Sequence, residues 1–313
     1  MILLEFLIYL CVAVCGVGVI RKIYQYVNTP VHLRWELYPV AHEAGEKVCY
    51  GGSYFEDVDW WKCPRKPSLI GELKGMIPEM LFVKALYEHN RPLWCRSFPF
   101  HFGLYLLIGF AGLIITGAFL NLIGLPVAWA SPSSLGRPVY ILTILVGIPG
   151  MLLTLIGSAA LFHRRMIDLD IKDFTYFSHY FNLGFIFATV FFVFLAWLLS
   201  DRGFSGLRNF VAGLVPFVPL QPPGFLISVE ALFTSLLVAY IPFTNLSHPI
   251  AKYFTYHKVR WDDEPNLPGS AMEKRIGEYL NYPVTWSAPH LQGEGARTWA
   301  KIATEEIKKD EKR

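Results

Sequence analysis

Five long apolar runs, almost free of charged side chains, dominate this chain of 313 residues. They cover approximately residues 2–20, 98–124, 138–162, 177–199 and 224–248. Each run is long enough to cross a hydrocarbon core about 30 Å thick as an α-helix. Only 17% of the residues are charged, whereas a soluble domain has about 25%. The sequence therefore predicts an all-α, integral membrane five-helix bundle, and we expect no nucleic-acid partner.

Lysine and arginine residues are distributed unevenly between these runs. Of the 28 in the chain, 25 lie in residues 21–96, 164–172 and 250–313. In a five-helix chain these three segments share one side of the membrane, and the positive-inside rule makes that side cytoplasmic. We therefore expect a prokaryotic inner-membrane protein with its N-terminus outside. The first run could instead be a signal peptide, but no cationic segment precedes it, so we expect a retained helix.

The same pattern predicts four segments. They are a first transmembrane helix (1–27), a long cytoplasmic loop (28–97), a four-helix membrane core (98–249) and a soluble cytoplasmic tail (250–313). Within the loop, residues 68–89 have an amphipathic pattern that Pro78 interrupts. We expect this segment to lie against the membrane surface or a partner, or else to pack on its own bundle. The charged tail is either a solvated surface or a docking site for a cytoplasmic partner.

The five cysteines follow no CxxC or iron–sulfur spacing, so we expect reduced thiols.

Two polar residues stand out in the fifth run. Glu230 and His248 are 18 positions apart. In one continuous helix they would share a face at a separation of about 27 Å. Thr234, Thr244 and Asn245 fall on or beside the same stripe. Because ionisable residues in membrane helices usually face the bundle interior, we expect this stripe to do so.

Four histidines lie at the predicted cytoplasmic ends of membrane helices: His101, His163, His179 and His248. Membrane cytochromes hold haem b between histidines from two facing helices, so histidines at matching depth are candidate ligands. Depth alone does not select a pair, and each histidine could simply cap a helix. Glycines at 103, 109, 112 and 117 favour either close helix packing or the approach of a flat macrocycle.

Two motifs carry a family resemblance. The segments FPFHFGLYLLIGFAG and IPFTNLSHP resemble the gamma subunit of respiratory nitrate reductase, a five-helix membrane cytochrome b. The resemblance covers the second to fifth helices and implies that His101 and His248 are the axial ligands of a haem b. The family's second ligand pair would fall at Ala111 and Glu230, neither of which is a histidine. At least one haem is therefore expected, with His163 and His179 as candidates for additional cofactor contacts.

The segments LRWELYP and KGMIPEM look more like the cytochrome b subunits of sulfate-reducer transmembrane redox complexes of the Dsr, Tmc and Hmc type. This resemblance implies electron exchange with menaquinone or with other membrane or periplasmic cytochrome subunits. It also implies docking of a cytoplasmic iron–sulfur protein of the heterodisulfide reductase type. The alternatives are a haem-free membrane anchor or assembly subunit and, with less support, a transporter.

Glu230 takes the place of a haem ligand in the family pattern. A buried carboxyl group near the outer end of a membrane helix could exchange a proton at a quinone site. It could equally be a structural group, hydrogen-bonded to a neighbouring helix or paired with Arg202 or Arg208. We expect the catalytic role.

Overall fold

The computed structural model describes most of the chain and divides it into two compact units. The first comprises Met1–Lys22 and Leu73–His248, and the second comprises Ile23–Glu72 and Pro249–Arg313. The described residues are 2–29, 43–50, 52–64, 66–216, 222–260, 266–288, 291–292 and 295–305. The LRWELYP segment at 33–39 lies outside them, as does the end of the charged tail.

Helices make up nearly all the regular structure of the described residues. In chain order the α-helices are α1 (Ile2–Asn28), α2 (Leu69–Leu81), α3 (Lys84–His89), α4 (Arg91–Leu122), α5 (Gly136–Ile167), α6 (Leu169–Lys172), α7 (Phe177–Leu199), α8 (Ser205–Leu214), α9 (Phe225–Tyr240), α10 (His248–Thr255), α11 (Ala271–Leu280) and α12 (Trp299–Thr304). The spans long and apolar enough to cross a membrane are α1, α4, α5, α7 and the segment that begins with α9. The predicted all-α membrane bundle is confirmed.

Helix α4 begins earlier than the sequence predicted. The apolar run predicted a start near residue 98, but the helix begins at Arg91. The side chain of Asn90 accepts a hydrogen bond from the third residue of the helix, and Pro92 lies in the first turn. Asparagine before a helix and proline in its first turn are the stronger start signals. His101 consequently lies about three turns inside α4.

Glycines set the spacing between α4 and α5. A Cβ atom on Gly103 would lie 2.5 Å from Thr154 Oγ1, and one on Gly157 would lie 2.4 Å from the backbone nitrogen of Phe100. Real carbon atoms do not approach so closely, so only glycine permits this contact between the two backbones. Gly103 therefore serves helix packing, whereas Gly112 has nothing within 4 Å of its Cβ position.

The long helices pack in sequence around one core. Helix α4 packs on α5, α5 on α7 and α7 on α9, and α8 returns to pack against α4. Met151 of α5 is completely buried at the centre of this core. The other buried members are Phe100, Phe110, Ile114, Ile186, Val190 and Phe204. A smaller buried cluster joins α1, α8 and α9 through Ile8, Phe210, Ile227 and Ala231.

The fifth apolar run is not one continuous helix, which corrects the sequence prediction. Helix α9 ends at Tyr240, two 3₁₀ turns follow at Ile241–Phe243 and Asn245–Ser247, and α10 begins at His248. Thr244, between the two turns, has an extended backbone with φ −129° and ψ 177°. Glu230 and His248 therefore belong to different helices, and the common face calculated from regular helical spacing does not apply to them.

The connection between α7 and α9 contains helix α8. Arg208 of α8 is only 1% exposed and lies against Gly117 of α4, where a Cβ atom would be 2.8 Å from its Nε. Its Nη1 donates to the carbonyl of Val127 at 3.1 Å, and its Nη2 donates to that of Gly203 at 3.3 Å. This buried arginine fixes α8 against the end of α4.

The second unit has its own small set of contacts. Lys258 donates hydrogen bonds to the carbonyl oxygens of Tyr26 and Val27 at the end of α1. The buried carboxylate of Glu43 accepts from the Ser53 hydroxyl at 2.8 Å and from the Tyr54 amide at 2.9 Å. Strands β1 (Ser287–Ala288) and β2 (Leu291–Gln292) form a short antiparallel pair. These hydrogen bonds and the strand pair show that the described parts of the second unit are folded.

Candidate functional site: a histidine pair

His101 projects from α4 with one ring nitrogen already engaged. The residue is half-buried, and its Nδ1 lies 2.8 Å from the carbonyl oxygen of Ser97, one turn earlier. The Ser97 hydroxyl is 3.2 Å from the same nitrogen. Because a carbonyl oxygen can only accept, Nδ1 carries the proton and Nε2 is the nitrogen with a lone pair. This tautomer is the one that binds a metal through Nε2.

His248 has the same arrangement at the start of α10. Its Nδ1 lies 2.9 Å from the carbonyl oxygen of Asn245, so this ring also carries its proton on Nδ1. The preceding 3₁₀ turn is held by Thr244, whose hydroxyl accepts from the Leu246 amide at 3.3 Å and whose carbonyl accepts from the Ser247 hydroxyl at 2.7 Å. Side-chain bonds of this kind fix local turns. The His248 ring itself is exposed.

The rings of His101 and His248 lie close together. Their centroids are 6.2 Å apart and their planes are inclined at 74°. An imidazole nitrogen binds a metal at about 2 Å, so two imidazoles on opposite sides of one iron have centroids about 6 Å apart. The pair thus has the separation that one haem iron requires. A haem needs only these two protein ligands, and larger groups of metal-binding side chains are absent from the described residues.

A buried asparagine supports the turn that carries His248. Asn182 of α7 is 5% exposed. Its Nδ2 donates to the side-chain oxygen of Asn245 at 2.5 Å, and its Oδ1 accepts from the Tyr240 hydroxyl at 2.8 Å. Sequence reasoning missed Asn182. Its one signal was a lone amide in the apolar run FNLGF, which gives no indication of partners about 60 residues away.

The other two candidate histidines are not brought into this pair. His163 is exposed near the end of α5. His179 lies in the first turn of α7, where its Nδ1 accepts a hydrogen bond from the Tyr176 amide at 3.1 Å. The capping alternative therefore describes His179. Within the described residues, ring contact between histidines joins only His101 and His248.

Glu230 is buried near the first turns of α9. It is 4% exposed, between Ile227 and Ala231, which both belong to the buried cluster with α1 and α8. Among the described residues, no hydrogen bond or ion pair joins its carboxyl group to Arg202 or Arg208, although Asp201 is near enough to interact with it electrostatically. The expected pairing with an arginine is therefore not observed. Ala111, the other position at which the family has a ligand, is exposed.

Asp201 and Arg208 form the polar surroundings of this end of the bundle. Asp201 accepts hydrogen bonds from the Ser205 hydroxyl at 3.1 Å and the Leu207 amide at 2.9 Å, which caps α8. Burial lowers the pKa of the Arg208 guanidinium, and the charge of Asp201 opposes this shift. Arg208 also lines a cleft of about 400 Å³, together with residues that do not include Glu230.

These features define the class of the protein: an all-α, multi-pass membrane protein with five apolar spans and a pair of neighbouring histidine rings. No protein-family model, no curated protein and no solved structure matches the chain.

Proposed function

We propose that the protein is a membrane cytochrome b in which His101 and His248 are the axial ligands of one haem b. The observation that carries this proposal is the separation of 6.2 Å between the ring centroids. In addition, Nδ1 of each ring is hydrogen-bonded to a backbone carbonyl oxygen. Both features fit the group: the separation suits one iron, and the protonated Nδ1 leaves Nε2 as the ligand atom. Haem b bound there would carry one electron at a time.

The chain's own residues hold and orient this site. The carbonyls of Ser97 and Asn245 fix the orientation and the tautomer of the two rings. Hydrogen bonds from ring N–H groups to carbonyls also make imidazoles more basic ligands. Asn182 holds the turn before His248 in place. Because the two imidazole side chains are already held in position, binding of the cofactor would cost less conformational entropy.

We further propose that Glu230 exchanges protons at a quinone site in the opposite half of the bilayer. Its burial without an arginine partner supports this role, because a charged partner would hold it permanently ionised. Oxidation of a quinol releases protons together with electrons, and a carboxyl group that can change its charge is suited to accept one of them. The cationic flanks of the helices support placement in a prokaryotic inner membrane with the histidine pair on the cytoplasmic side.

We propose the partners that the resemblance in sequence implies. Electrons would pass between menaquinone, or other membrane or periplasmic cytochrome subunits, and a cytoplasmic iron–sulfur protein of the heterodisulfide reductase type. The protein would then be the electron-transfer subunit of a membrane oxidoreductase complex.

Absorbance and haem content of the purified full-length chain test the haem proposal. We expect a reduced-minus-oxidised spectrum of haem b and about one haem per chain from a single pair of ligands. His101→Ala and His248→Ala should each lose most of the haem. His163→Ala, which changes an exposed histidine outside the pair, is the matched control and should keep it.

A second measurement separates ligand loss from misfolding. Added imidazole should restore haem binding in the alanine variants if the missing group is an axial ligand. A wild-type chain without haem would favour the haem-free anchor, and full haem retention in His248→Ala would remove that residue as a ligand.

A further inference from the structure

Helix α2 carries an apolar surface that faces away from the protein. Its exposed side chains include Leu69 and Ile70, both 68% exposed, and Leu73, 45% exposed. The apolar face of α2 is the set Leu69, Ile70, Leu73, Ile77, Met80 and Leu81. Lys74, at the border of this set, is the one charged residue among the exposed positions of the helix. In a helix that faces water, these positions would be polar.

The acidic residues of α2 point the other way. Glu72 lies 3.4 Å from Nε2 of His257. Glu79 accepts a hydrogen bond from the Ala85 amide at 2.8 Å. Met76, on the same side, is buried. The helix therefore directs its carboxylates toward protein and its large apolar side chains toward the surroundings, the reverse of a surface helix on a soluble domain.

Hydrogen bonds fix the end of α2 beside the entry of α4 into the membrane. The Tyr105 hydroxyl donates to the carbonyl of Met80 at 2.6 Å, and the indole Nε1 of Trp94 donates to that of Phe82 at 2.8 Å. Phe98 stacks against Phe82 with ring centroids 6.5 Å apart. Tyrosine and tryptophan are the residues that mark the boundary between lipid and water. The end of α2 therefore lies beside α4, one of the helices long and apolar enough to cross a membrane.

We propose that α2 is an in-plane helix whose apolar face is inserted into the lipid leaflet that contains the start of α4. Lys74 then lies at the level of the headgroups, as expected for a cationic residue at the border of an interfacial helix. Lipid is the occupant because the face adjoins a surface that is already in the bilayer and carries no polar group that a protein partner would recognise. The inference does not depend on haem binding.

Spin labels on single cysteines test this placement. The full-length chain, with its five cysteines replaced by serine or alanine, is reconstituted into nanodiscs of phosphatidylethanolamine and phosphatidylglycerol. A nitroxide is attached at Ile77→Cys on the apolar face. Glu88→Cys on α3 is the matched control, because Glu88 is an exposed, charged position shortly after α2. Collision rates with oxygen, which dissolves in lipid, and with a water-soluble nickel chelate are compared.

We expect severalfold more collisions with oxygen and severalfold fewer with nickel at position 77 than at position 88. Equal exposure to nickel at both positions would show that the face is in water and would overturn the proposal. Protection from both reagents would show a protein contact and would also overturn it. Haem content of the labelled variants, measured in parallel, reports separately on the function proposed above.

Discussion

Local hydrogen bonds orient both candidate haem ligands, and one of the two sites is also supported from another helix. His101 takes its orientation from the carbonyl of Ser97 within its own helix. His248 depends on a turn whose Asn245 side chain is held by Asn182 from another helix. A ligand on an irregular turn needs such support, because the turn lacks the repeating hydrogen bonds of a helix. The two imidazoles are therefore held in different ways.

Replacement of Asn182 by leucine should weaken haem binding without removing a ligand. The change removes the hydrogen-bond partner of the exposed Asn245 side chain and of the half-buried Tyr240 hydroxyl, and each lost bond costs about 0.5–1.5 kcal/mol. We expect partial haem loss and a lower melting temperature. Tyr240→Phe removes only one of the two hydrogen bonds, so it should lose less haem. Equal haem content in Asn182→Leu and wild type would exclude a supporting role.

Glu230→Gln tests the proton-exchange role at the residue scale. Glutamine keeps the size of the side chain but cannot accept or release a proton, so quinol-linked turnover should fall while the haem spectrum remains. Thr234→Ala, one turn later on α9 at an exposed position, is the control. Turnover in Glu230→Gln equal to that in the control would show that the carboxyl group is only structural.

At the scale of elements, the break after α9 was the main feature that helical periodicity missed. Spacing alone placed Glu230 and His248 on one face of one helix. Pro242, in the first of the two 3₁₀ turns, and Pro249, directly after His248, bracket the irregular segment. Proline interrupts or restarts helices, so the signal was present in the sequence. The prediction gave more weight to the apolar composition of the fifth run than to these two prolines.

The glycine contact between α4 and α5 predicts the effect of a larger side chain. Valine at Gly157 would collide with the backbone of Phe100, next to His101. The helices would have to move apart, at a cost of about 1–3 kcal/mol, and the imidazole of His101 would move with α4. We expect lower thermal stability and haem loss, measured by melting temperature and absorbance.

Gly184→Val on α7 is the control for Gly157→Val. No neighbouring atom lies within 4 Å of its Cβ position, so the added side chain meets open space. The control should retain haem. A Gly157→Val variant that keeps wild-type haem content would contradict the view that this contact positions the ligand.

At the scale of the whole molecule, the sequence was enough to predict how many membrane spans the chain has. It did not predict the contacts made by the segments outside those spans. Long uncharged runs predict membrane helices because every backbone group must be satisfied within the helix. The contacts of the second unit, such as Lys258 with Tyr26 and Val27, join residues about 230 positions apart and leave no local pattern. The pairing of His101 and His248 was predicted through resemblance, since depth alone left four histidines equivalent.

An odd number of spans predicts termini on opposite sides of the membrane. A fluorescent protein fused to the C-terminus should be fluorescent, because that terminus is expected in the cytoplasm. Alkaline phosphatase at the same position should be inactive, whereas its fusion after Asp201 should be active. The reverse pattern would place the histidine pair on the outer side and exclude a cytoplasmic partner at that end.

The boundary between the two compact units falls between His248 and Pro249. One candidate ligand is therefore the final residue of the membrane unit, and the peptide bond that follows it begins the other unit. Proline restricts the backbone of the residue before it, so the chain that enters the second unit also limits the conformations open to His248.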